Sequence, residues 1–200
     1  MLTFSQAEMA CGGEVADWTR RNKILLALAA IGGLLAFSGC AKSRPPQPFD
    51  VPIESRLILQ VPFFGAEAGA GAAGALAEVM TYNGRPVTAE KIVLALGENS
   101  PTPHALVVWA RGEDFKALYY QAGPASLVEA VKAGRPLIVR LGGPAPPLAA
   151  GDYAVVVGYN PEGVVVNSRS INQQIVPWGP FLTGWLQARN IAIEITPGHD

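Results

Sequence analysis

Cysteine is nearly missing from this chain: among 200 residues only Cys11 and Cys40 occur. A disulfide framework needs paired thiols and a thiol nucleophile needs a thiolate, so the residues after Cys40 hold neither. Histidine is almost as scarce, with His104 and His199 alone. Zinc sites draw on His, Cys and carboxylates at short spacings. No such cluster stands in the sequence, and no metal is expected. An excess of either charge is also lacking: 15 Lys and Arg face 16 Asp and Glu, a net charge of −1. Nucleic-acid binding needs a basic footprint, and none is present. Gly69, Gly71 and Gly74 match a G-x-G-x-x-G string. No ribose-binding acid follows in a strand–helix–strand setting, so no nucleotide cofactor is expected. The longest apolar run, residues 24–37, is about 14 residues, short of the roughly 20 that cross a bilayer as a helix.

What is present begins with an address. Arg20, Arg21 and Lys23 precede that apolar run, and Ser38-Gly39-Cys40 closes it with small residues. A basic start, a short apolar centre and a small-residue end are the parts of a signal peptide. The ending resembles a bacterial lipobox, which implies that Cys40 becomes the first mature residue and carries lipid, palmitate included. The competing reading is an uncleaved anchor or a buried core helix. Residues 1–40 are thus read as a lipoprotein signal peptide. Residues 41–56, with Pro45, Pro46 and Pro48, are read as a tether that resists helix and sheet. Residues 57–197 are read as one domain, long enough for a proper core. By resemblance to other lipoproteins, Ala41 after the cysteine points to the outer membrane, facing the periplasm.

Within that domain helices come first and strands after. The patterns predict a strand over 57–63, helices over 71–82, 89–96 and 104–111, a strand over 115–120, and a helix over 126–132. Strands follow over 137–141, 153–159 and 164–167, the last two joined as an antiparallel hairpin. A short helix over 180–187 and a strand over 191–195 finish the chain. This is an α+β order. The proline-bearing loop 142–151 stands just before the hairpin, where it is expected to rim a cleft.

Several phrases in this order resemble the bacteriocin-processing, or double-glycine leader, cysteine peptidases and their exported relatives. They are Val61-Pro62-Phe63-Phe64; Leu76 with Tyr82-Asn83-Gly84 and Val87; Gly134-Arg135-Pro136-Leu137-Ile138-Val139; Tyr153 through Tyr159; and Phe181 with Trp185. The resemblance covers roughly residues 57–195 and implies a papain-like cysteine peptidase fold, N-terminal helices packed on an antiparallel sheet. In that family a Gln supports the oxyanion, a Cys opening the first helix attacks, a His takes the proton, and an Asp orients the ring. The matching positions here are Ala66, Gly71, Asp152 and Ser168. None carries the expected group.

The sequence therefore predicts a protease-shaped domain that does not cleave. The expected work is binding a peptide or protein partner in the cell envelope, with the membrane as a second partner through lipid on Cys40. Trp178, Tyr153 and Glu67 are the candidate contact residues. Two other classes compete. A residual hydrolase would have to build on Asp152, His104 and Ser168. A passive subunit of an envelope or secretion assembly would need no groove at all.

Overall fold

The run Tyr153–Tyr159 has no polar side chain other than its two tyrosines, and it is buried at every position. A strand with one wet face alternates; one without alternation needs cover on both sides. The computed structural model supplies that cover. It describes residues 56–65, 71–97, 101–169 and 171–198, so expectations on Cys40, Ala66 and Glu67 lie outside the described residues.

The strands are β1 (Leu57–Ile58), β2 (Phe115–Gln121), β3 (Leu137–Arg140), β4 (Tyr153–Tyr159), β5 (Gly163–Ser168), β6 (Ile171–Pro177) and β7 (Ile191–Pro197). They form one sheet in the order β2-β7-β3-β4-β5-β6, antiparallel at each pairing. β1 lies off this path and pairs with the end of β4. The helices are α1 (Ala72–Tyr82), α2 (Ala89–Leu96), α3 (Pro103–Gly112), α4 (Pro124–Lys132) and α5 (Trp178–Gln187). The α+β class is as expected.

Alternate residues of β4 serve two separate cores. Tyr153, Val155 and Val157 pack with α1, α2 and α3, around Leu76, Met80, Ile92 and Leu106. Ala154 and Val156 pack with α4 and α5, around Leu127, Phe181 and Trp185. Helices thus cover both faces, the N-terminal group on one and α4 with α5 on the other; Phe181 and Trp185, four residues apart, seat α5 on the sheet as their spacing predicts. A bulge between Val156 and Gly158 then shifts the register against β5. One extra residue reverses the alternation, so Tyr159 joins the α4–α5 side. Gly158 also lets β1 in: a Cβ there would sit 2.4 Å from the Leu57 carbonyl oxygen. Burying a Leu, Val or Phe in such cores is worth roughly 1.5–3 kcal/mol each.

Local chemistry explains most boundaries. Alanine gives α1 its helix propensity and its thinness, and every residue from Ala72 to Met80 is buried. Asn83 ends it, donating from Nδ2 to the Val79 and Ile195 carbonyls and so pinning the helix to β7. Thr88 and Thr102 cap α2 and α3 by accepting from Lys91 N and Ala105 N. α4 begins at Pro124 rather than Ser126, because a proline in the first turn loses no helical bond.

Three features depart from expectation. β1 is two residues long, not seven: Leu57 and Ile58 pair with β4 beyond the end of β3, and Leu59 N adds one last bond to the Val157 carbonyl before the chain leaves the sheet. β6 was not expected: Asn172-Gln173-Gln174 interrupts its apolar pattern, which an exposed edge strand tolerates. The proline loop packs on α5, with Gly142 N and Gly143 N donating to the Gly184 carbonyl. None of its residues lines the hollow described next.

Candidate functional site

Gly71 stands immediately before α1, with φ 101° and ψ −135°. That backbone region is essentially closed to L-residues. The space where a side chain would begin is empty: a Cβ on Gly71 would meet no atom within 4 Å. From there a stripe of α1 runs through Gly74 and Ala75 to Glu78, three, four and seven residues on, which is one face of a helix. Opposite stand Tyr153 at the start of β4 and Asn167, Ser168 and Arg169 at the end of β5. These residues, with Gly65, line a shallow hollow that opens to solvent. Three glycines, an alanine and Glu78 form one wall; Tyr153, Asn167, Ser168 and Arg169 form the other.

Each polar group has a defined partner. Asp152 is buried just ahead of β4; its Oδ1 accepts from Arg169 Nε at 2.8 Å and its Oδ2 from Ala149 N at 2.9 Å. Ser168 donates from Oγ to the Tyr153 carbonyl at 2.8 Å. Tyr153 donates from its hydroxyl to the Pro101 carbonyl at 2.7 Å. Burial pushes that phenol up from its ordinary value of 10.0, and the Arg140 guanidinium 6.0 Å from its ring centroid pulls partly back.

Glu78 is the unusual member. It is a carboxyl on the inner face of a helix whose neighbours are alanine, valine and methionine. Its Oε1 accepts from Phe64 N at 3.3 Å and its Oε2 from Asn167 Nδ2 at 3.4 Å. Asn167 in turn accepts from Gln173 N at 2.9 Å. Desolvation pushes the Glu78 carboxyl from 4.5 up to about 7, although both hydrogen bonds favour the charged form and pull it down.

Gly71 and Ser168 face the same hollow, and Asp152 reaches its rim through Arg169. Tyr153 lines the hollow. Trp178 does not: it donates from Nε1 to the Asn160 carbonyl at 3.0 Å, at the opposite end of the β4–β5 hairpin. The alternative set of Asp152, His104 and Ser168 is not assembled. His104 is exposed on α3, edge-on to Tyr119 of β2 at 6.2 Å between ring centroids. β2 and β5 are four places apart in the sheet order, about 19 Å at roughly 4.8 Å per strand. The Ser168 proton goes to a backbone carbonyl, and no described residue is placed to receive it as a base. Among the described residues no group of three His, Cys, Asp or Glu side chains could hold a metal.

Sequence reasoning missed Glu78, Asn167 and Arg169. The signal for Glu78 was there: a lone carboxylate inside a run of apolar and small residues, on the helical stripe that starts at Gly71. Asn167 and Arg169 gave no such signal, because they are ordinary residues beside a strand end.

No family model and no curated protein matches the chain. Solved structures do match its fold. A Bacillus anthracis protein described as a C39-like peptidase superposes with a TM-score of 0.61 at 19% identity, over 72% of this chain and 98% of that one. A double-glycine-motif protease from an AMS/PCAT transporter, solved with its leader peptide, gives 0.56 at 18% identity over 70% and 94%. The peptidase domain of Streptococcus ComA, a bifunctional ABC transporter in a quorum-sensing pathway, gives 0.53 at 18% identity over 71% and 98%. This chain is similar to all three in fold, and at such identities the likeness carries the fold alone.

Proposed function

We propose that this chain is a catalytically silent peptidase-like protein, held on a membrane of the cell envelope by lipid on Cys40, whose hollow binds a peptide or protein segment. The observation that carries the reading is at Gly71. The helix start where this fold seats its nucleophile has no side chain, a backbone angle that disfavours one, and open space above it. Gly71→Cys alone would therefore add a strained residue rather than rebuild an active site.

The surrounding changes agree with that loss. An imidazole beside a carboxylate would hold and pass a proton. Asp152 bonded to Arg169 keeps a charged pair between the start of one strand and the end of the next. A guanidinium does not give up its proton near neutral pH, so this pair holds the strands without acid–base chemistry. What remains is a partly polar recess open to solvent, in which a peptide segment could seat a side chain or its end.

Two experiments test this. The purified full chain is incubated with a random peptide library, washed, and its bound fraction read by mass spectrometry. Recovery of enriched, intact peptides is expected; a stoichiometric protein partner with no peptide enrichment would favour the passive-subunit reading instead. Mass spectrometry of the mature N-terminus tests the anchor: an acylated Cys40 is expected, and an unmodified start downstream of it would refute the lipid.

A further inference from the structure

Glu78 has the wrong chemistry for a purely structural role. A buried carboxylate is stable when a cation or several strong donors face it. Glu78 has two long hydrogen bonds from neutral groups and, among the described residues, no cation. The charged neighbours are committed elsewhere. On the β5 side Arg169 is bonded to Asp152. On β4 and β3 Tyr153 points its hydroxyl to Pro101, with Arg140 over its ring. Packed on α1, helix α2 exposes Glu90, and its Lys91 bonds Glu113. On α1 itself Tyr82 donates to the Gly134 carbonyl, and β7 spends Glu194 on Arg135 and Tyr120. The segment 59–65 has no titratable side chain. A glutamine at 78 would fill the same space without the desolvation penalty, so the carboxyl points to a missing charged partner.

The shape of the hollow narrows that partner. The hollow encloses room for about one water-sized group. An ammonium head fits; a planar guanidinium is wider. A divalent metal is excluded on ligand number, since one carboxylate falls short of the six or more oxygens a hard cation takes. The Oγ lone pairs of Ser168 stay free to accept, because its own proton goes to the Tyr153 carbonyl.

We infer that the hollow is a primary-ammonium site, in which the Glu78 carboxylate receives the –NH3+ of a bound segment, from either a lysine side chain or a free N-terminus. The inference rests on the peptide-binding reading above and names the group that reading leaves open. Its consequence is a linkage between ligand and proton. A cation beside Glu78 favours the ionised form, so binding below neutrality expels the carboxyl proton, and affinity rises with pH until Glu78 is ionised without help.

The test is an NMR titration of the full chain, following the Glu78 carboxyl carbon. The probes are n-butylammonium and Gly-Gly-Gly-amide; n-butanol and acetyl-Gly-Gly-Gly-amide are their uncharged counterparts. Both ammonium probes should bind at least about tenfold more tightly than their counterparts. Their affinity should climb with pH in the window between the bound and free Glu78 midpoints, with a slope that approaches but never exceeds about tenfold per pH unit, the limit for a single linked proton. At saturation the Glu78 midpoint should fall by more than one pH unit. The two sources separate at high pH: affinity for the tripeptide turns down near pH 8 as its α-amine loses its proton, while that for n-butylammonium holds to about pH 9. Glu78→Gln, with its amide spectrum otherwise preserved, should lose both the preference and the pH slope. Equal binding of charged and uncharged probes with an unmoved Glu78 midpoint would overturn the ammonium site and leave the groove standing. No probe binding at all, beside intact capture of library peptides, would also overturn it alone; failure of that capture as well would remove the groove.

Discussion

The two ends of the β4–β5 hairpin bury polar atoms for different purposes. At the turn end, Asn160 accepts from Glu162 N and Gly163 N through Oδ1, and its carbonyl accepts from Trp178 Nε1. These atoms shape a turn, and none of the groups that meet there gains or loses a proton near neutral pH. At the open end, Glu78, Asp152, Asn167 and Ser168 are all buried within a few residues of Gly71 and Tyr153. Two of them are carboxyls, and one sits close to half-ionised at neutral pH. A fold that only needed closing would have treated both ends alike. The difference marks the open end as the part under a demand other than stability.

The glycines of the two ends sharpen that contrast, and Gly158→Ala should give the largest effect. Its methyl would collide with the Leu57 carbonyl, so β1 must move away. A loss of about 3 kcal/mol is expected in urea unfolding. A cost below about 1 kcal/mol would show that β1 is not held tightly against β4.

Next in size is the pH dependence at Glu78. Its folded value of about 7 lies above its ordinary 4.5. Below 4.5 the group is protonated in both states and takes nothing from stability. From 4.5 to 7 the unfolded chain releases a proton that the folded chain keeps, so stability falls as pH rises. Above 7 both states are ionised and the loss is complete, on the order of 3 kcal/mol. Glu78→Gln should erase this slope. It should also stabilise the chain above pH 7 by about 2 kcal/mol, the lost Asn167 bond offsetting part of the gain. Unfolding of both forms at pH 4.5, 6 and 8 checks this; a parallel slope in the variant would mean Glu78 is not the titrating group.

At the turn end Asn160→Ala should cost about 1.5 kcal/mol, with no change in slope between pH 4.5 and 8. Chemical denaturation across that range reads both quantities, and a pH-dependent cost would erase the distinction between the ends. Smallest is Gly71→Ala. With nothing in its way, the methyl should cost only the backbone strain, about 1 kcal/mol. A loss as large as that of Gly158→Ala would mean the hollow is filled in solution.

How much of this was legible beforehand follows from the same contrast. The fully apolar β4 showed its strand character, and the alanine run with Asn83-Gly84 showed α1 and its end. Both signals are local. β6 was hidden because an edge strand can carry Asn172-Gln173-Gln174 to solvent and still pair with β5. The face that each helix covers was hidden, because burial of both faces of β4 does not say which helices provide it. At the site, the residue types at Gly71, Asp152 and Ser168 were legible, and the resemblance marked them as positions to compare; the partners that the residues around the hollow take were not legible. The Asp152–Arg169 pair depends on a turn whose Arg169 has φ 46°, and the Glu78–Asn167 bond joins residues 89 apart in sequence.

The claim on which the account turns is that no competent nucleophile stands in the hollow. The direct measurement is cleavage of a diverse peptide mixture by the full chain in molar excess, over pH 5 to 9, with Ser168→Ala as comparison. The account predicts no new peptide termini above the level given by the heat-denatured chain. Cleavage by the native chain that disappears in Ser168→Ala would contradict it.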